Sequence, residues 1–282
     1  MKKLLTILVA LLILTNSCKK YVPAPEAFFI QPSYVNLAIT TPSIQGTSSS
    51  KITDLFLYVD GKFQGVYQPS NKLPIVTRGQ NVKINVLAGI KNNGISETVI
   101  TWPFLMKLEF DSLVASGKTV NRGFSFQYLP NVTFMWKEDF DGFGVSLIRS
   151  AVTATTTSLN LISSPESFES KSAMFELPSN IQLAQFETSV AYPIPHGNPN
   201  VYLELNYKCD LKVEIGITDG IHPKSSITLN EKGDWNKIYI QLADALNREP
   251  LYDNAKIYFK TVNPNQLNGA RVWLDNIKLI YL

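Results

Sequence analysis

The chain has 282 residues, of which 45% are hydrophobic, 11% aromatic and 17% charged, which is enough for one large core or two ordinary ones and excludes a globally disordered chain. It carries 26 Lys and Arg against 23 Asp and Glu, and two of these lysines belong to a leader predicted to be removed, so charge provides no basis for nucleic-acid binding. Two Cys and two His leave most metal-cluster and Cys/His catalytic schemes without ligands.

The N-terminal segment has the pattern of an exported protein. Two lysines precede an apolar run over residues 4–14, which at about 1.5 Å per residue is too short to cross a hydrocarbon layer of about 30 Å. We therefore predict a signal peptide over residues 1–17. Ser17 followed by Cys18 resembles the bacterial lipobox, which implies cleavage before Cys18 and its modification with acyl chains such as palmitate. An ordinary secreted protein with a chance cysteine is the alternative.

Residues 18–29 are predicted to be the lipidated cysteine and an extended stem, because Pro23 and Pro25 favour an extended backbone. The resemblance implies a lipid-anchored protein of the outer membrane. Surface-exported lipoproteins of Bacteroidota often carry acidic residues directly after the cysteine, whereas Lys19 and Lys20 follow Cys18 here. The cell surface and the periplasmic face therefore both stay open.

Residues 30–137 show short alternating strands. Apolar residues recur at every second position over 55–59 and 82–86, which is typical of a half-buried sheet. Asp60 and Asn93 are each followed by Gly, and both pairs favour tight hairpin turns. This spacing predicts an immunoglobulin-like β-sandwich.

Residues 138–282 contain longer strands, such as 201–209 and 272–282, separated by wide loops. This pattern predicts a jelly roll of two packed sheets. Cys209 lies in an alternating stretch and would have no cysteine partner after cleavage, so we expect a buried thiol. The predicted fold class is all-β, with two tandem antiparallel β-sandwiches, immunoglobulin-like and then jelly roll.

Several runs of the sequence resemble a known group of proteins. These are 52–67, 89–95, Trp102-Pro103-Phe104, 201–208, 235–240 and 274–279. Together they resemble uncharacterised two-domain Bacteroidota outer-membrane lipoproteins. The second half is also similar to β-sandwich carbohydrate-binding modules whose last strand carries an ending like Asp275-Asn276-Ile277. The resemblance implies location and architecture, and it supplies no activity.

No catalytic machinery is recognisable. Asp139 and Asp141 are close in sequence, but in an extended segment they point to the same side, whereas glycoside hydrolysis needs two carboxylates facing each other across a substrate. Neither G-x-S-x-G, a Gly-rich phosphate loop nor H-E-x-x-H occurs. We predict no enzyme, no cofactor and no metal. A structural Ca²⁺ held by Asp139, Asp141 and Asp275 is an alternative, although six or more oxygen ligands would be needed.

Glycan binding usually needs an exposed aromatic ring. Trp273 lies between Val272 and Leu274, so it faces away from their expected core and is the first candidate ligand-binding residue. Tyr192, on a loop beside Pro193, is the second. Packing against the neighbouring domain or against a loop is the alternative for both rings.

A protein interface is predicted from Trp102 and Phe104, because Pro103 ends the strand and leaves two large rings at its end. Packing of both rings against the second domain explains the pattern equally well. Asp111-Ser112-Leu113 matches a short motif at which Bacteroidota attach glycans outside the cytoplasm, so Ser112 is a candidate glycosylation site.

These observations favour a non-catalytic outer-membrane lipoprotein that acts as an interaction or accessory subunit of an envelope protein assembly. Its expected partners are the membrane, through the lipid anchor, and a membrane or envelope protein, with no nucleic acid. The alternative hypothesis is a glycan-binding lipoprotein that supports polysaccharide capture.

Overall fold

The computed structural model describes residues 27–77, 81–113, 117–151, 157–248 and 250–282. The predicted signal peptide, the lipidation site Cys18 and most of the predicted stem lie outside these ranges. Within them, no helix combines the length and the apolar character needed to cross a membrane.

The described residues of the first sandwich form eight strands and one short helix. They are β1 (Phe28–Leu37), α1 (Pro42–Gln45), β2 (Asp54–Val59), β3 (Lys62–Tyr67), β4 (Leu73–Ile75), β5 (Asn81–Lys91), β6 (Val99–Thr101), β7 (Leu108–Leu113) and β8 (Thr119–Phe126). One sheet has the order β4-β1-β8. The other has the order β3-β2-β5-β6, and β7 pairs with β5 beside β6.

One pair in this sandwich departs from the predicted antiparallel arrangement. β1 and β8, the first and last strands of the domain, pair in parallel over most of their length. Every other pair in the two sheets is antiparallel. Parallel partners cannot be joined by a hairpin, so they need a long connection, and here the rest of the domain provides it.

The alternation predicted for the first sandwich is confirmed by burial. In β5, Val82, Ile84 and Val86 are at most 2% exposed and belong to the core between the two sheets. Both predicted turns are also confirmed, because Asp60 and Asn93 have φ angles of 51° and 53° in the left-handed region.

In the second sandwich, the part of the chain that the structure describes forms eleven strands and one short helix. They are β9 (Thr133–Glu138), β10 (Leu147–Arg149), β11 (Leu159–Ser163), β12 (Lys171–Leu177), β13 (Leu183–Thr188), β14 (Val201–Cys209), β15 (Val213–Thr218), β16 (Pro223–Leu229), β17 (Lys232–Gln241), α2 (Ala243–Leu246), β18 (Lys256–Val262) and β19 (Ala270–Tyr281). The smaller sheet has the order β10-β13-β18-β15-β16. The larger has the order β11-β12-β19-β14-β17, with β9 also paired to β19. The chain is thus all-β and forms two β-sandwiches.

The sequence predicts that the second sandwich begins at residue 138. In the structure it begins earlier, with β9. β9 pairs with the last strand of the chain, from Ile277↔Glu138 to Tyr281↔Thr133. Residues 133–138 therefore belong to the second sandwich and not to the end of the first. This pairing joins residues about 140 positions apart, and local composition carries no signal of such a contact.

The two sandwiches share a small apolar cluster. Its buried members from the first sandwich are Leu37, Ile90, Trp102, Phe104 and Tyr128, and those from the second are Tyr202, Tyr239 and Ile280. The cluster packs on the outer face of the larger sheet, because Tyr202 and Tyr239 alternate with core residues on β14 and β17. This face is therefore covered by the first sandwich at one end.

Candidate functional site

Trp273 lies on the predicted side of its strand but is not exposed. Its neighbours Val272 and Leu274 belong to the core, whereas Trp273 points to the outer face of the larger sheet. Only 1% of it is exposed, because the cationic ends of Lys208 and Arg271 lie 4.6 and 4.8 Å from the ring centroid. The expectation of an exposed stacking ring is therefore wrong.

Tyr192 packs onto the second sandwich. Its ring stacks on Trp136, with centroids 6.1 Å apart and an interplanar angle of 23°. Its backbone N–H and C=O both hydrogen-bond to Ala255. The ring is half-buried and packs against the core of its own sandwich, and not against the neighbouring domain.

Trp102 and Phe104 are only 4% and 0% exposed and lie between the two sandwiches. The Trp102 ring centroid lies 4.7 Å from Phe104, 4.8 Å from Tyr202 and 4.6 Å from Tyr239. Neither ring offers a surface to a second protein. The proposed docking role of these two residues is therefore wrong, and packing against the second domain is the correct interpretation.

The remaining predicted residues are dispersed. Ser112 is half-buried in β7, and its hydroxyl donates to the Leu113 carbonyl at 3.3 Å. Asp139 faces Lys137 at 3.5 Å. Asp141 accepts the backbone N–H of Lys171. Across the described part of the chain, no three His, Cys, Asp or Glu side chains are grouped as metal ligands.

The structure instead brings polar residues together in a cleft between the two sandwiches. The cleft has a volume of about 420 Å³, within the usual range of about 300–1,000 Å³ for small-molecule sites. Residues 51–53 and 91–96 line it from the first sandwich, and residues 227–232 and 236–239 from the second. The lining offers ammonium, amide and hydroxyl groups, including those of Lys51, Lys91, Lys232, Asn93, Asn230 and Asn236.

The hairpin turn after β5 forms one wall of this cleft. The backbone N–H of Asn93 donates to the Tyr239 carbonyl, and its side-chain oxygen accepts the N–H of Gln241, both at 2.9 Å. The turn thereby occupies the free edge of β17, which would otherwise expose unpaired backbone groups. A Cβ at Gly94, whose φ is 70°, would lie 3.1 Å from Ile238, so glycine permits this close approach.

The opposite wall is the connection between β16 and β17. These strands belong to different sheets, so the chain crosses from one sheet to the other at the edge of the sandwich. The thiol of Cys209 donates a hydrogen bond to the Asn230 carbonyl at 3.5 Å and so attaches this connection to β14. Cys209 is 1% exposed, and burial raises the pKa of its thiol to about 11, so it is the structural thiol that the sequence predicted.

Lys51 reaches across the cleft from the first sandwich. Its backbone N–H donates to the Tyr239 hydroxyl at 2.8 Å, and its ammonium group donates to the Asn236 side-chain oxygen at 2.5 Å. Burial, followed by the positive charge of Lys232, lowers the pKa of the Lys51 ammonium group. Two cations therefore face the same space.

The other two lysines of the cleft are paired. Lys91 lies 3.2 Å from Asp54, and Lys237 lies 3.2 Å from Glu204. Glu231 is the one carboxylate among the described residues that line the cleft. The cleft therefore carries donors and acceptors of hydrogen bonds, an excess of positive charge and no opposed pair of carboxylates.

None of the cleft residues was predicted as a site residue. The only local signal was the Asn93-Gly94 turn, which indicates a hairpin and not a binding wall. Lys51 and Asn236 are 185 positions apart, so their meeting depends entirely on how the two sandwiches dock.

No protein-family model matches the chain, and no curated protein matches it. Among solved structures, the xylan-binding module CBM22-2 of Paenibacillus barcinonensis Xyn10C is 15% identical, with a TM-score of 0.36, and the match covers 52% of this chain and 99% of that one. The family 11 carbohydrate-binding module of a Clostridium thermocellum cellulase is 14% identical, with a TM-score of 0.35 and coverage of 54% and 95%.

A third solved structure, TmCBM61 in complex with β-1,4-galactotriose, is 14% identical, with a TM-score of 0.33, and the match covers 48% of this chain and 87% of that one. Carbohydrate-binding modules thus recur among the structural neighbours. At such identities and TM-scores, the likeness carries no argument about the ligand of this chain.

Proposed function

We propose that this chain is a non-catalytic carbohydrate-binding protein whose ligand occupies the cleft between the two sandwiches. The observation that carries the proposal is the cleft itself, a polar space of about 420 Å³ with converging amide, hydroxyl and ammonium groups. Sugars present many hydroxyl groups that both donate and accept hydrogen bonds. Asn93, Asn230 and Asn236 can serve both functions, because each amide has an acceptor oxygen and two donor hydrogens.

A neighbouring depression extends the available space. It has a volume of about 350 Å³, lies against the outer face of the smaller sheet and includes Lys212, Glu214 and Lys260. It shares Thr228 and Glu231 with the cleft, so the two spaces adjoin along the β16–β17 connection. An oligosaccharide could follow this path and contact both.

The proposal is non-catalytic because the cleft lacks two opposed acids. Hydrolysis of a glycosidic bond commonly requires two carboxyl groups about 5 to 9.5 Å apart, one on each side of the bond. Glu231 is the one carboxyl group that the described residues contribute to the cleft lining. Binding without hydrolysis is the function that this geometry supports best.

Anchorage to the outer membrane is part of the same proposal and rests on the sequence around Cys18. Two or more acyl chains would hold the protein stably at the bilayer. Labelled palmitate should be incorporated into the wild type and not into Cys18→Ala, and the variant should leave the membrane fraction. A membrane-bound variant without label would contradict the anchor.

One specific observation favours the accessory-subunit hypothesis. An aromatic patch lies on the outer face of the first sandwich, where the Phe63 ring is 5.3 Å from Tyr58 and 6.5 Å from Phe56, and Phe63 is 55% exposed. Such a patch is typical of a protein contact surface. Copurification of a stoichiometric protein from solubilised outer membrane, lost in Phe63→Ser, would favour this second function.

The carbohydrate proposal is tested by obstructing the cleft without changing its charge. Ser96 lines the cleft from an exposed turn, so Ser96→Trp should fold normally and fill the space. Ser70→Trp places the same ring on an exposed turn between β3 and β4 and is the matched control. A glycan array with neutral and acidic sugars should give hits for the wild type and for Ser70→Trp.

For those hits, Ser96→Trp should bind at least about tenfold more weakly, which corresponds to about 1.4 kcal/mol. An array without any hit, or equal binding by Ser96→Trp, would contradict the proposed site.

A further inference from the structure

The cleft contains two ammonium groups, those of Lys51 and Lys232, that form no ion pair with the carboxylates of the described residues. Among the described residues, the ion pairs include Lys91 with Asp54 and Lys237 with Glu204, but none involves Lys51 or Lys232. The Lys51 ammonium group donates to the side-chain oxygen of Asn236, which directs it toward the second sandwich, and both Lys51 and Lys232 are exposed to solvent. The two cations face the same cleft from different sandwiches.

This arrangement is unfavourable in the empty cleft. Like charges that share a partly buried space repel, and removal from water adds to the cost of the charged form. The lowered pKa of Lys51, caused by burial and then by Lys232, is consistent with that cost. An anionic group placed between the two ammonium groups would relieve both effects.

The cleft also limits the density of negative charge on a ligand. Glu231 lies on the same wall as Lys232 and would repel a second anion close to the first. The side-chain oxygens of Asn93 and Asn236 already accept hydrogen bonds from Gln241 and Lys51, so the amide N–H groups remain as neutral donors whose hydrogen bonds sugar hydroxyl oxygens can accept. A ligand with one acidic group surrounded by hydroxyls satisfies the whole lining better than a dense polyanion does.

We propose that the interdomain cleft selects acidic saccharides, with the carboxylate or sulfate group held between Lys51 and Lys232. This inference rests on the proposed carbohydrate-binding function and names its class of ligand. It also predicts that both sandwiches are needed for recognition, because Lys51 and Asn93 belong to the first sandwich and Lys232 and Asn236 to the second.

The test compares matched ligands by isothermal titration calorimetry on the purified full chain. The carboxylate probe is a neutral oligosaccharide that ends in a single galacturonate, and its control is the same oligosaccharide with that carboxyl group methyl-esterified. A neutral oligosaccharide that carries a single sulfate group and its desulfated form provide the sulfate arm. We expect at least one of the two acidic probes to bind at least about tenfold more tightly than its own neutralised form at low salt. This difference in affinity should shrink at 0.5 M salt, because salt screens the attraction between opposite charges.

Variants assign the effect to the two lysines. Lys51→Gln and Lys232→Gln should each weaken binding of the acidic form at least about fivefold more than they weaken binding of the neutralised form. Lys62→Gln is the control, because Lys62 is exposed and begins β3 opposite Val59, the end of β2 that is farther from the cleft, about 20 Å away at 3.3 Å per residue. It should bind like the wild type.

The possible failures are distinguishable. If glycans bind and Ser96→Trp blocks them, but acidic and neutralised forms bind alike or neither lysine variant matters, the cleft binds sugars and the acidic selection is wrong. If neither acidic probe binds while neutral sugars do, the selection is also wrong. If no glycan binds at all, the proposed function and this inference fall together.

Discussion

Asp275 is a buried carboxyl group in the middle of the last strand. It is 1% exposed, and it accepts hydrogen bonds from the Ser172 hydroxyl at 2.6 Å and from the Asn276 backbone N–H at 2.7 Å. Burial, which outweighs these two bonds, raises its pKa to about 7, with smaller contributions from the charges of Glu169 and Asp141. Its surroundings favour the neutral acid.

This shift predicts a pH-dependent stability. Between about pH 4 and pH 7, the Asp275 carboxyl group is protonated in the folded state and ionised in the unfolded chain. The unfolding free energy therefore falls progressively as the pH rises through this range, and the loss is complete above pH 7. We therefore compare the unfolding free energy of Asp275→Asn with that of the wild type. The difference in favour of the variant should be about 3 kcal/mol larger at pH 8 than at pH 4.5. Urea denaturation at both pH values measures this difference. Asp253→Asn, at an exposed position, is the control, and an equal pH profile for both variants would contradict the assignment.

At the scale of the element, Gly216 in β15 allows β16 to lie close to β15, and the end of β16 forms part of the cleft lining. The ladder between them shifts register after Ile215, and β16 approaches Gly216 closely. A Cβ at Gly216 would lie 2.1 Å from the Lys224 carbonyl oxygen, which is backbone and cannot swing aside. The end of β16 then lines the cleft through residues 227–229.

We therefore expect Gly216→Ala to destabilise the protein by about 2 kcal/mol or more, because β16 must move away from β15. Gly123→Ala is the matched control in the other sandwich. Its Cβ would also come within 2.1 Å of an atom, but that atom belongs to the ring of Tyr34, which is 57% exposed and can rotate away. Thermal unfolding compares the two variants, and an equally small loss for both would show that β16 is free to shift.

At the scale of the whole molecule, a buried ionic cluster joins the sandwiches. Glu204 of the second sandwich accepts the Tyr128 hydroxyl of the first at 2.6 Å and lies 3.2 Å from Lys237 and 4.0 Å from Lys278. Burial opposes ionisation of Glu204, yet the charges of the two lysines keep its pKa below the usual value. Lys278 also donates to the carbonyl of Thr47, so this cluster ties the first sandwich onto the larger sheet.

Removal of the charge on Glu204 should leave two buried lysines without a counter-charge. We expect Glu204→Gln to lose about 3 kcal/mol or more of unfolding free energy. Glu109→Gln is the matched control, since Glu109 also faces two lysines, Lys83 and Lys107, but on the surface. It should change little, and equal losses in urea denaturation would show that burial is not the cause.

The strand positions and turns follow from local rules that the sequence displays. Alternating apolar residues in β5 indicate which side chains face the core, and Asp60 and Asn93, each followed by Gly, indicate hairpins. The burial of Cys209 follows from the same alternation. These features depend on neighbours within a few residues, so one sequence suffices to predict them.

Trp273 and Trp102 show where such reasoning ends. Alternation correctly placed Trp273 on the face opposite the core, but two cationic side chains cover that ring. Trp102 ends a strand as predicted, and the second sandwich covers it. A period of two residues distinguishes the two faces of a sheet and carries no information about what is packed on the outer one.

The sequence by itself determined the all-β class, the two sandwiches and the candidate export signal, because these depend on composition and short-range pattern. Only the tertiary structure decided that β9 belongs to the second sandwich and that Lys51, Lys232 and Asn236 share a cleft. The physical reason is that the cleft is made by docking two separate cores, and the contacts that fix their docking join residues far apart in the chain.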